Sequence, residues 1–149
     1  MNPFSFAGTQ ITDIAHAIQL SVAPVFLLSG VGVLLNVLTS RLARIVDRAR
    51  PWEDRLAVAS EPEAGELRKR LAVLARRARH VSRAITLSTI SALLTAIVVV
   101  LLFASAFVEF NLAAGVAVLF ISAMSALVGA LLSFLIEVRI ATAALRIGK

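Results

Sequence analysis

Hydrophobic and polar positions fall in blocks along this chain. Apolar runs from about Ala17 to Thr39, Thr86 to Phe107 and Leu112 to Ile136 are separated by one long polar segment and one short turn. About 20 helical residues are needed to cross about 30 Å of hydrocarbon, and each run has them. In lipid an open strand leaves its backbone N–H and C=O groups unpaired, so the pattern predicts an all-α integral membrane protein with three transmembrane helices.

Inside the polar segment a second periodicity takes over. Leu67, Leu71, Leu74, Ala78, Val81 and Ile85 alternate four and three residues apart, a coiled-coil seam that runs directly into the second span. Leu42, Ile45, Ala49, Trp52 and Leu56 form a matching edge that continues the first span, with a kink expected at Pro51. The two edges predict an antiparallel helical hairpin over residues 40–85, turning at "ASEPEAGE". Ser60 and Glu63 have the spacing of a capping box at the start of its second arm. The whole chain, 1–149, reads as one membrane domain.

Within the spans, polar and small residues mark faces. On the third, Ser125, Gly129, Ser133 and Glu137 recur every four residues beside Ser122, Ala126 and Ala130, a strip where another helix can approach closely. The second is hydroxylated in its inner half, at Thr86, Ser88, Thr89, Ser91 and Thr95. Its outer half, "AIVVVLLF", is aliphatic and expected to face lipid. On the first, Ser29, Gly32, Asn36 and Ser40 share a face, and a buried Asn36 amide needs a hydrogen-bond partner on another helix.

Composition supports the bilayer reading: 59% of residues are hydrophobic, 16% charged, and the mean hydropathy is +0.91. Charge then orients the chain. Of its 15 Lys and Arg residues, 12 lie between Arg41 and Arg83, and none lies in the N-terminal segment or the "FVEFN" turn. The positive-inside rule puts the hairpin and the C-terminus in the cytoplasm, and the N-terminus and the Glu109 turn outside. The N-terminal stretch lacks the basic region of a signal peptide, so the first span is expected to be retained. The net charge of +6 is gathered beside apolar spans, where the lipid bilayer and its anionic headgroups are nearer partners than nucleic acid.

At 100° per residue, Gln19, Ala23, Phe26, Gly30, Val33, Val37, Arg41, Arg44 and Arg48 lie within about 40° of one line on the first helix. The line runs from an amide through an aromatic ring, a glycine and valines to three arginines. Copies of this helix around an axis make a hydrophobic constriction above a cationic vestibule, which are the parts of a channel. The same arginines also serve as plain anchors, with their stems snorkelling to anionic lipid. Glu137 is expected at the inner boundary, paired with Arg41 or Arg83.

Other chemistry finds little support. The chain has no cysteine, and His16 and His80 have no second ligand at metal spacing, so no metal, no cofactor and no nucleophile–base pair is expected. There is no phosphate-binding glycine loop, so no enzyme is expected.

The stretches "IQLSVAPVFLLSGVGVLLNVLTSRLARIVDRAR", "LARRARHVSRAITLSTISALL" and "FLIEVRIA" resemble a family of small bacterial membrane proteins, the domain of unknown function numbered 2721. That resemblance implies a bacterial three-span protein and brings no activity, substrate or catalytic residues. From the residues themselves, the expected function is a homo-oligomeric ion channel lined by the first span. The competing expectation is a non-conducting, membrane-anchored interaction protein whose hairpin binds a partner or anionic lipid.

Overall fold

The computed structural model describes the backbone of residues 3–105 and 113–145 and the side chains of residues 14–105 and 113–142. The outer end of the second run, the "FVEFN" turn and the first residue of the third run lie outside these residues. Three helices account for nearly all of the described chain: α1 (Pro3–Leu56), α2 (Glu61–Ala104) and α3 (Ala113–Leu145). Each is long and apolar enough to cross a membrane. The 54 residues of α1 and the 44 of α2 extend about 80 Å and 65 Å at 1.5 Å per residue. Both exceed the hydrocarbon thickness, so in each the apolar run has a polar helical continuation.

Local chemistry explains where the helices stop. The Ala57 and Val58 amides donate to the carbonyls of Glu53 and Arg55, closing α1 with a tightened last turn. Ser60 occupies the cap position of α2, and its carbonyl accepts from the Ala64 amide at 2.8 Å. Pro62 sits in the first turn, where a missing N–H costs no helical bond, and Glu61 and Glu63 suit the positive end of the helix dipole. The break therefore covers only residues 57–60, and most of "ASEPEAGE" is helix. Helix α1 stays continuous through both Pro24 and Pro51.

The chain divides into two compact units. One comprises Met1–Val33 and Thr89–Leu127. Its buried positions are mostly small: Ala17, Ser21 and Val31 on α1, Ser91, Thr95 and Val98 on α2, and Ala123 on α3. Small side chains let helices approach closely enough for dispersion contacts to act where lipid removes the hydrophobic drive. Ser21 donates to the Ile18 carbonyl and Thr95 to the Ser91 carbonyl, so these hydroxyls are satisfied by their own helices. Val98 is buried, so the outer half of the second span is not wholly lipid-facing.

The other unit comprises Leu34–Ser88 and Val128–Lys149. Leu38 and Ile45 of α1 and Leu74, Val81 and Ala84 of α2 form its buried cluster, with Leu42, Ala49, Trp52, Ala78, Ile85 and Phe134 packed against it. These are the two heptad edges expected from the sequence. Helix α3 joins closely at Gly129, where an added Cβ would stand 3.2 Å from Cδ1 of Leu87.

Candidate functional site

A buried polar cluster is centred on Glu137, fully buried on α3. Heptad spacing explains its direction: Ala123, Ala130 and Glu137 are seven residues apart and all buried, so the carboxylate points inward like the alanines before it. A bare carboxylate there would be costly, and two arginines meet it. Nη1 of Arg41, on α1, donates to Oε2 at 2.8 Å. Nη2 and Nε of Arg77, on α2, donate to Oε1 at 2.8 and 3.2 Å. The Arg41 guanidinium also lies over the Phe134 ring, 5.0 Å from its centroid, which fixes its plane.

Arg44 and Arg48 continue the site along α1. They share a cleft of about 190 Å³ with Arg41, Arg77, Ile45 and Glu137. Both are exposed, and neither forms an ion pair or hydrogen bond among the described residues. One carboxylate thus faces four guanidinium groups, and two of the four are unpaired.

Of the two partners expected for Glu137, Arg41 is present and Arg83 is not; Arg77, which the spacing does not single out, takes that place. Helix geometry shows why. Val81 marks the packed face of α2; Arg77 stands about 40° from it and Arg83 about 160° away. Depth along the helix favours Arg83, but facing favours Arg77, and a long arginine stem covers the difference in depth.

The other expected site residues divide by facing. In the first unit Gln19, Ala23, Phe26, Gly30 and Val33 are exposed, Phe26 by 74% and Val33 by 67%. Ala23 also borders an apolar groove with Pro24, Val98 and Phe120. In the second unit Val37 is exposed, whereas Arg41 is half-buried through its bond to Glu137. Ser29 and Asn36 are exposed, and among the described residues their side chains form no hydrogen bond to α2 or α3; Ser29 donates to the Val25 carbonyl of its own helix. Ser125 is exposed and bonds the Ile121 carbonyl, while Ser133 and Gly129 are half-buried. The expected strip on α3 is therefore split, because a four-residue step advances 40° and three steps turn Ser125 about 120° from Glu137. Among the described residues no group of three His, Asp or Glu side chains is placed to hold a metal ion.

Neither a curated protein nor a solved structure matches the chain significantly. The model of the family described as "Protein of unknown function (DUF2721)" matches residues 21–147, which include Glu137 and all four arginines of the cleft. The chain belongs to that family.

Proposed function

We propose that the protein is a homo-oligomeric membrane protein in which α1 faces a central axis and lines a path for small ions. The observation that carries this reading is Asn36. Its amide lies within the apolar run Val31–Leu38, is exposed on the surface of the chain, and has no hydrogen-bond partner among the described residues. An amide left unpaired in hydrocarbon is costly, and a second copy of α1 supplies the partner. Gly32, one turn away on the same face, has open space beside it, which suits close approach of another helix. By contrast, the exposed face of α3 is aliphatic at Val128, Leu131, Leu132 and Leu135, as lipid requires.

The facing of α1 suits a ring. Taking Val37 as zero, the internal seam at Leu38 lies about 100° to one side, and Ser29, Gly32, Asn36 and Ser40 average about 95° to the other. The line from Gln19 to Arg48 falls between them. A helix in a ring needs those three faces: one for its own chain, one for a neighbour and one for the lumen. In this arrangement Phe26 and Val33 form the constriction, and Arg44 and Arg48 make the inner mouth favourable to anions. Residues 40–85 form an antiparallel hairpin in the cytoplasm of a bacterial inner membrane, with the N-terminus outside.

The chain has no cysteine, so single introduced thiols report contacts cleanly. Gly32→Cys and Asn36→Cys are expected to crosslink between copies in native membranes, whereas Leu131→Cys is not. In liposomes Phe26→Ala and Val33→Ala are expected to raise ion leak several-fold. Crosslinking at Leu131 alone, or flux unchanged from empty vesicles, rejects the proposal.

A non-conducting reading is favoured by the state of Arg41. Its bond to Glu137 removes one of three charges from the vestibule and commits this arginine to holding the helices together. On that reading the arginine-rich end anchors the protein to anionic lipid and the hairpin binds a cytosolic partner. Crosslinking at Asn36 without flux selects it.

A further inference from the structure

We propose that the cleft bounded by Arg41, Arg44, Arg48 and Arg77 is a specific binding site for a phosphate-type oxyanion. Four guanidinium groups share about 190 Å³ with a single carboxylate, leaving three positive charges unmatched within the cleft. The only acid on α3 is Glu137, already held by two arginines; Asp47 on α1 does not line the cleft, and Glu66 on α2 pairs with Lys69 and Arg70. Glu137 is the one carboxylate in the lining of the cleft, and among the described residues none forms an ion pair with Arg44 or Arg48. Such a concentration of like charge is unfavourable until an anion enters.

The donors are also suitably placed. A guanidinium carries five N–H groups; Arg41 gives Glu137 one nitrogen and Arg77 gives it two, so both retain donors. The Phe134 ring and the Glu137 carboxylate hold these two planes in position, which lowers the ordering cost of binding. Arg44 and Arg48, one turn apart on α1, add the mobile contacts. Planar donors in this number match the tetrahedral oxygens of phosphate. The volume falls below the roughly 300–1,000 Å³ usual for organic ligands, which points to a small oxyanion.

Two sources share that chemistry. The cleft begins where the apolar run of α1 ends, at Arg41, and where that of α3 ends, at Glu137, which is headgroup depth once the helices lie in a bilayer. A headgroup phosphate of an anionic lipid reaches it there, and so does free phosphate from the aqueous side. The site requires the spans to lie in a membrane but not the pore, so an assembly that fails to conduct leaves it standing.

The test is native mass spectrometry of the full chain in neutral detergent, titrated in separate arms with phosphatidylglycerol, phosphatidylcholine and inorganic phosphate. The wild type is expected to prefer phosphatidylglycerol over phosphatidylcholine about tenfold if the source is lipid. If the source is free phosphate, it retains phosphate and shows no lipid preference. Arg44→Gln/Arg48→Gln, which alters only exposed and unpaired side chains, is expected to abolish whichever preference is seen. Arg79→Gln/Arg83→Gln removes the same charge from exposed positions outside the cleft and is expected to keep it. Equal losses in the two double variants, or no retention of either phosphate source by the wild type, overturns the proposal.

Discussion

Glu137 has no access to solvent, and two guanidinium groups from two other helices meet its charge. The geometry is good: both carboxylate oxygens accept charge-assisted bonds at 2.8 Å, and the second bond from Arg77 restrains rotation. Breaking a buried pair by removing one partner costs more than forming it gains, because the remaining charge stays desolvated. Glu137→Gln is therefore expected to lower stability by about 3 kcal/mol. Arg77→Gln, whose side chain is 19% exposed, is expected to cost more than Arg41→Gln, whose side chain is 38% exposed. Unfolding in detergent, followed by the fluorescence of the single tryptophan, Trp52, measures this. A Glu137→Gln protein as stable as the wild type would show that the cluster has no structural role.

At the scale of an element, α1 follows two periods at once. Its packed positions Ala17, Pro24, Val31, Leu38 and Ile45 follow a seven-residue repeat, whereas the line from Gln19 to Arg48 follows the 3.6-residue turn. The two separate by about 20° per heptad, or about 80° between Ala17 and Ile45. The line consequently starts nearly opposite the seam and ends beside it, which brings Arg41 into reach of Glu137. The seams themselves were legible in the sequence, since the four-and-three spacing of Leu67 to Ile85 and of Leu42 to Leu56 corresponds to the cluster around Leu74, Val81 and Ile45. The partners of Glu137 were only half legible, because choosing between Arg77 and Arg83 needs the facing of α2 as well as its depth. The exposure of Asn36 was not legible at all; hydropathy places a residue along a span but not around it. The seam makes a sharp forecast for neighbouring residues. Leu74→Ala is expected to destabilise by about 3 kcal/mol through lost contacts and a residual cavity, while Val73→Ala, 46% exposed, stays within about 0.5 kcal/mol. Thermal unfolding of the two variants side by side decides whether the periodic edge is the packed one.

At the scale of the whole molecule, charge follows the division into two units. All 15 Lys and Arg residues fall in the unit of Leu34–Ser88 and Val128–Lys149, together with seven of the nine acids; the other unit contains only Asp13 and Glu109. Unit boundaries reflect backbone contacts, and charge placement reflects which side chains lipid tolerates, so their agreement is not built into either. Moving a cluster of basic side chains across the hydrocarbon is strongly disfavoured, and the Lys and Arg bias of short flanking segments fixes orientation. The proposed topology accordingly has the basic unit on the cytoplasmic side of the membrane. Val58, in the break between α1 and α2, is 86% exposed and is a suitable reporter for a chain without cysteine. In intact cells Val58→Cys is expected to resist a membrane-impermeant maleimide and to react fully once the membrane is opened. A tag fused before Met1 is expected to be accessible from outside throughout. The reverse pattern would place the arginine cleft on the outer surface, away from the cytoplasmic pool of phosphate and the anionic inner leaflet, and would remove both the cationic inner mouth and the partner-binding hairpin. Labelling of both sites from outside would show that an odd number of spans does not separate them, which contradicts α1 crossing the bilayer once.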